Sequence, residues 1–422
     1  MTEAAKQKLM RLLRWSEQYT RTDMVYLATS GFWLTVGQVG AIIFSLALAI
    51  IFGHFATQDT YGNYKYVINI GSLLSALSLS GMGTAVTRAS AQKKDGVLSQ
   101  GFRLNLQWSF PMVIAGLFAS AYYYHAGNTF AGSGIALVSI ILPIINSFTL
   151  YDQFLIGKRE FRLDVLFSVG SLAVTTSLIG ITLLYFSQRA IVLIGMYLLA
   201  NLATDMLWFW ITKRKAQNSE EDPELLNYSF HLSVMSIVGA IADKIDSIAI
   251  FTLLGPAQLA VYSYAIAMPE QIKGVVKNVA AASLPKFAKR PISEIKETID
   301  WRLMQFVAIL TVIAAVYVII CPLLFKYLFP VYVASIGYSQ LYVLSIVFVA
   351  IINVLIAILE SHQKVKQLYY ATNVAPVILI ITLPVLTFYW GVLGAVVAQI
   401  IYRVTNAAVA YWQFASVSSE AS

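Results

Sequence analysis

The chain has 422 residues, 58% of them hydrophobic and 12% charged, with a mean hydropathy of +0.71. A soluble domain is about 45–50% apolar and about 25% charged, so this composition excludes a water-soluble globular protein. The net charge of +8 is carried mainly by short stretches between apolar runs, which ties it to membrane topology and not to nucleic-acid binding.

The apolar runs are continuous and about twenty residues long, the length of a membrane-crossing helix; barrel strands would alternate apolar and polar residues over about ten. In lipid every backbone N–H and C=O must be paired inside the protein, which helices achieve within one segment. Residues 1–30 interleave Lys6, Lys8, Arg11 and Arg14 with Leu9, Leu12, Leu13 and Trp15, the pattern of an amphipathic interfacial helix. No small-residue cleavage site follows a short apolar core, so a cleaved signal peptide is not expected. Twelve helical spans are then read at 31–53, 64–87, 104–124, 134–156, 165–187, 190–211, 228–254, 258–283, 303–325, 338–360, 368–389 and 391–414.

Lysine and arginine set the orientation. Every second connection is basic: Arg88, Lys93, Lys94 and Arg103; Lys158, Arg159 and Arg162; Lys213 to Lys215; Lys286, Lys289, Arg290, Lys296 and Arg302; Lys364 and Lys366. The alternate connections hold only Lys65, Arg189 and Lys326. Both termini are therefore expected on the cytoplasmic side of the membrane. The non-cytoplasmic loops are short, with no room for an outer catalytic domain, so an enzyme is not expected. The single cysteine, Cys321, has no disulfide partner in the chain. No metal-ligand cluster and no cofactor motif is present in the sequence.

The connection at 212–227 carries Lys213-Arg214-Lys215 and then Glu220-Glu221-Asp222-Pro223-Glu224. It is read as a cytoplasmic linker between an N-lobe at 31–211 and a C-lobe at 228–414, with a tail at 415–422. The lobes resemble each other: Phe32-Trp33-Leu34-Thr35-Val36 matches Phe230-His231-Leu232-Ser233-Val234, and Tyr61-Gly62-Asn63-Tyr64 matches Leu259-Ala260-Val261-Tyr262 at the same offset. Six spans per lobe give both the same orientation, hence a pseudo-two-fold axis along the membrane normal.

Charged residues inside spans cost at least about 2.5–3.5 kcal/mol at a helix centre and point to a polar cavity. Span seven holds Asp243, Lys244 and Asp246, span eight holds Pro269, Glu270, Lys273 and Lys277, and span twelve holds Arg403. At about 100° per residue, Glu270, Lys273 and Lys277 fall within a stripe of about 60°. Pro269 removes a helix hydrogen bond beside Glu270, freeing a carbonyl and permitting a kink there. Lys244, Lys273, Lys277 and Arg403, with Arg88 and Arg103 on the approach, are read as contacts for an anionic headgroup. Asp243, Asp246 and Glu270 are read as the acids that hold those bases and carry any coupling proton or cation. A set of internal salt bridges is the competing reading of the same residues. Asp152, Gln153, Asp205 and Glu360 are noted as further polar positions near span ends.

With these features in place the chain resembles the Wzx-type oligosaccharide flippases of the multidrug/oligosaccharidyl-lipid/polysaccharide exporter superfamily. The resemblance rests on the Phe-x-Leu-[Thr/Ser]-Val start of each lobe, on Gly62-Asn63-Tyr64 and its counterpart Ala260-Val261-Tyr262, and on Asp243-Lys244-Ile245-Asp246. The second lobe has Ala260 where the pattern has glycine. The resemblance implies transfer of an undecaprenyl-diphosphate-linked oligosaccharide, as in O-antigen synthesis, from the inner to the outer leaflet by alternating access. It also implies coupling to protons, sodium or the membrane potential, and a monomer among membrane lipids that works beside polysaccharide polymerase machinery. The alternative is a MATE-like cation-coupled multidrug exporter. A lipid II flippase of the MurJ type has fourteen spans, which fits less well.

Overall fold

The computed structural model describes residues 24–186, 188–287, 292–362 and 364–417. The expected amphipathic segment lies almost wholly outside the described residues, as do Lys289, Arg290 and the end of the tail. Among the described residues the chain is almost entirely helical, with no strand. The helices are α1 (Met24–Phe55), α2 (Gln58–Leu74), α3 (Met82–Ala91), α4 (Val97–Gln107), α5 (Phe110–His125), α6 (Thr129–Phe148), α7 (Leu150–Gly157), α8 (Phe161–Ile181) and α9 (Ala190–Lys213) in the first half. The second half has α10 (Leu225–Ala242), α11 (Ile245–Leu254), α12 (Pro256–Phe287), α13 (Ile292–Leu328), α14 (Ile336–Val343), α15 (Ile346–Ser361) and α16 (Val365–Ala415).

Among the described residues, six helical segments are long and apolar enough to cross a membrane, and up to eight if two bent pairs each count as one span. The bent pairs break by 60° between residues 77 and 82 and by 44° between 343 and 346. The run α16 is two helices joined at Gly391, whose φ of +60° is open to glycine and strained for a side chain. At Pro269 α12 carries through as one helical element, without a break. The break lies one helix earlier, where α10 ends at Ala242 and α11 starts at Ile245, with Lys244 at φ −125° and ψ −6°. Three charged residues lie within Asp243–Asp246, and a break there exposes backbone groups that a continuous helix would hide.

The two halves meet along α2, which runs antiparallel to α11 and packs against the start of α12. Three contacts fix the register. A Cβ on Gly62 would sit 1.8 Å from the Pro256 carbonyl oxygen, so the backbones approach to a distance only glycine permits. Tyr66 stacks on Phe251 with ring centroids 3.6 Å apart. Asn69 Nδ2 donates to Ser247 Oγ at 2.7 Å.

Beyond them, at the end away from most of the basic loops, aromatic rings fill the junction. Tyr264 stacks on Tyr332 at 3.7 Å and packs against Tyr61 at 4.9 Å, and its hydroxyl donates to the Ala49 carbonyl at 2.7 Å. Gln58 Nε2 donates to the Val331 carbonyl at 2.9 Å. Pairs of this kind contribute about 0.5–1.5 kcal/mol each beyond area burial. Tyr61, Tyr64, Tyr262 and Tyr264 are all buried, so the two matching Tyr-bearing motifs of the sequence meet in one core.

Gly62→Ala should therefore lower the thermal midpoint in detergent, with an overpacking cost of about 1–3 kcal/mol. Gly195→Ala, where an added methyl meets nothing within 4 Å, should leave the midpoint unchanged or higher. Intrinsic-fluorescence melting curves of the purified variants check both.

Candidate functional site: a charge network between the halves

Arg403 lies deep between the helices, with its side chain only 4% exposed. Its Nη2 donates to Glu270 Oε1 and, at 2.6 Å, to the Tyr342 hydroxyl, while Nη1 donates to Ser345 Oγ at 2.9 Å. The guanidinium lies over the Tyr342 ring, 4.4 Å from its centroid. Tyr342 in turn donates to Glu270 Oε1 at 2.7 Å, and Lys273 Nζ pairs with Glu270 Oε2 at 2.9 Å, one turn along α12. Both oxygens of Glu270 are thus engaged by cations. Arg403 has a partner on each terminal nitrogen and faces the protein; Lys273, with 44% of its side chain exposed, keeps its ammonium within reach of an incoming group.

The helix break builds the second part of the network. Asp246 is buried; its Oδ1 accepts from the Ser247 N–H at 2.6 Å and the Ser247 hydroxyl at 3.3 Å, and its Oδ2 accepts from the Tyr262 hydroxyl at 2.9 Å. Lys244 is half-buried and lies within electrostatic reach of Asp246, Asp243, Lys65 and Lys273. Asp243 is exposed and faces Tyr402 electrostatically. Tyr262, Tyr342, Glu270 and Arg403 interact among themselves, so the two parts form one network. Lys277 is on α12, but its side chain lies outside the described residues.

Arg88 and Arg103 are elsewhere. Arg88 pairs with Asp222 at 3.4 Å and lies over the Tyr228 ring, and Arg103 pairs with Glu221 at 2.5 Å. They belong to a latch that fastens the 214–224 segment to the first half. Lys94 also pairs with Asp222 at 3.2 Å, and Gln100 exchanges two 2.9 Å hydrogen bonds with the Asp222 backbone. Asp95 pairs with Lys158 and accepts from the Gln217 N–H at 2.7 Å. The acidic run 220–224 was the sequence signal that bases must be near; the structure supplies them from Arg88, Lys94 and Arg103.

The sequence reading missed Lys65, Asn69, Ser247, Tyr262, Tyr342 and Ser345 as members of the network. The charge pattern assigns Lys65 to an outer connection; in the structure it stands inside α2, half-buried and within electrostatic reach of Asp246. The repeat that paired Tyr64 with Tyr262 had marked one of these positions without giving its role. A separate group, Asp152, Asp164 and Asp205, surrounds Tyr151 in the first half, and one oxygen each of Asp152 and Asp164 is buried without a hydrogen-bond partner. No group of three or more acids, histidines or cysteines with metal-holding geometry occurs among the described residues.

Several comparisons bear on the whole chain. The family described as "Polysaccharide biosynthesis protein" matches residues 27–290. The fold is shared with an inward-facing multidrug resistance MATE family transporter of the MOP superfamily, at TM-score 0.66 and 15% identity over 91% of this chain and 97% of that one. An outward-facing MATE transporter of the same superfamily aligns at TM-score 0.60 and 16% identity, over 94% and 96%. The lipid II flippase MurJ in an inward-closed conformation aligns at TM-score 0.60 and 12% identity, over 91% and 87%. No curated protein matches the chain.

Two outcomes follow from the geometry. Breaking a buried pair costs about 3–5 kcal/mol because one charge is left behind, so Glu270→Gln should destabilise toward the lower end of that range, Glu270 being partly exposed. The double substitution Glu270→Gln/Arg403→Met should recover most of the loss in thermal melts, since no buried charge remains.

The latch has a pH signature. Burial pushes the Asp222 carboxyl up, but hydrogen bonds from Lys94, the Glu224 N–H and Arg88 outweigh it and hold it below the usual carboxylate range. A depressed carboxyl stabilises the folded form fully above its unfolded pKa, about 3.9, and loses that contribution as pH falls through the lower folded value. Iodide quenching of a fluorophore on Gln217→Cys should accordingly stay constant from neutral pH to about 4 and rise below it. Asp222→Asn should show raised quenching at every pH.

Proposed function

The chain belongs to the polysaccharide biosynthesis protein family, and on that premise we propose that it is a flippase for an undecaprenyl-diphosphate-linked oligosaccharide. It moves the headgroup from the inner to the outer leaflet of a bacterial cytoplasmic membrane by alternating access, while the lipid tail stays among the surrounding lipids. The observation that carries this reading is the charge network at the meeting of the two halves. Four bases, Lys65, Lys244, Lys273 and Arg403, face three acids, Asp243, Asp246 and Glu270, which leaves surplus positive charge for an anion. Half-buried ammonium groups are compact point charges suited to a diphosphate.

In this reading the chain forms twelve spans in two six-helix lobes, 31–211 and 228–414, related by an axis along the membrane normal and joined by the 212–227 linker. The basic end is cytoplasmic by the positive-inside rule, and the aromatic packing of Tyr61, Tyr264 and Tyr332 closes the outer end. Arg403 acts by fixing Glu270, and Lys244 and Lys273 contact the headgroup, with Lys277 on its entry path. Arg88 and Arg103 line the cytoplasmic approach through the latch. One of Asp243, Asp246 and Glu270 carries the coupling proton or sodium ion. A charge moved across the membrane field supplies about 2.3 kcal/mol per 100 mV. The protein acts as a monomer beside the polymerase that receives its product in O-antigen or related synthesis.

Proteoliposomes containing a fluorescent undecaprenyl-diphosphate oligosaccharide, with leaflet exposure followed by a membrane-impermeant quencher, test this. Headgroup transfer above protein-free vesicles is expected, with a loss of at least about tenfold in Lys244→Ala and Lys273→Ala, as one charge-assisted contact is removed in each. Absence of transfer across several sugars and imposed pH and sodium gradients, together with export of a cationic dye, would falsify the flippase reading in favour of a drug exporter.

A further inference from the structure

Lys65 is the only member of the network's bases contributed by the first half, and its surroundings differ from those of Arg403. It lies on α2 one turn before Asn69, whose hydrogen bond to Ser247 fixes that face of α2 against α11 beside Asp246. Neither Lys65 nor Lys244 has a carboxylate within 4.0 Å among the described residues. Their common counter-charge is Asp246, which attracts both. Yet both Asp246 oxygens already accept hydrogen bonds, from Ser247 and from Tyr262. Lys65 and Lys244 also repel each other across the boundary between the halves. Two half-buried ammonium groups from opposite halves thus share one carboxylate that serves them only at a distance.

We propose that Lys65 and Lys244 form an anion clamp, one jaw from each half, in which the diphosphate of the substrate replaces Asp246 as their counter-charge. The proposal rests on the flippase reading and adds the pairing of Lys65 with Lys244 across the halves and the competition by Asp246. A diphosphate has oxygens to meet both ammonium groups directly, which the engaged carboxylate of Asp246 does not. Because the jaws belong to different halves, an anion between them draws α2 toward the α10–α11 break. Separation of the halves takes the jaws apart and releases the anion. Asp246 holds the empty site together and competes with the ligand.

The test uses the full-length protein in nanodiscs, with farnesyl diphosphate as probe and farnesol as its uncharged control, and calorimetric titration as readout. Wild type should bind the diphosphate and not the alcohol. Lys65→Gln should weaken binding about tenfold or more, as loss of a charge-assisted contact does, and Lys65→Arg should restore most of it. Asp246→Asn should tighten binding severalfold by removing the competitor. A merely structural lysine would not give that opposite response. Wild-type affinity in a folded Lys65→Gln, or unchanged or weaker binding in a folded Asp246→Asn, overturns the clamp while leaving the flippase reading in place. Failure of the wild type to distinguish diphosphate from alcohol overturns both.

Discussion

A guanidinium taken out of water without a partner costs several kcal/mol, and the middle of this molecule is arranged around meeting that cost. Arg403 is held by Glu270 of α12, Tyr342 of α14 and Ser345 just before α15. Since α12, α14 and the segment before α15 must all reach one side chain of α16, that single group sets how they pack. Lys273 then completes the Glu270 carboxylate from the exposed side. The network is therefore graded. Its inner members are enclosed by protein, while its outer members, the half-exposed Lys273 and the half-buried Lys244, are reachable from outside.

The same grading separates the two ends of the molecule. At one end the halves are joined by backbone contact at Gly62 and by stacked tyrosines, contacts that tolerate little sliding. At the other, ion pairs from Arg88, Lys94 and Arg103 to Glu221 and Asp222 fasten the polar linker segment to the first half. Exposed or half-exposed ion pairs contribute about 0–1 kcal/mol and are screened by salt. An aromatic seal and an ionic latch thus give the ends different sensitivities: the first to packing, the second to pH and ionic strength.

The charges that drew notice in the sequence were those that lipid makes expensive, and most of them do cluster. Glu270, Lys273 and Arg403 were read as competing candidates for salt bridges and for substrate contact. The geometry divides them, with Arg403 enclosed and Lys273 open. Asp246 proved to be held by hydroxyls and a backbone N–H, partners that leave no mark in a hydropathy pattern. Arg88 and Arg103 were drawn toward the cavity in the sequence reading because loop residues carry no distance information. Their partners lie more than a hundred residues away in the linker.

The sequence alone determined that the chain is helical and membrane-embedded, which connections are basic, and which residues carry charge inside apolar runs. These follow from composition and local periodicity, where the bilayer acts on each segment independently. It also marked Gly62 and Tyr262 through the internal repeat. Only the tertiary structure decided that the break falls at Asp243–Lys244 and not at Pro269, that Lys65 belongs with Asp246, and that Tyr342 and Ser345 complete Arg403. Those outcomes depend on which helices become neighbours. Neighbours are chosen by long-range packing and by the need to satisfy each buried charge at once, and neither is encoded in any one stretch of chain.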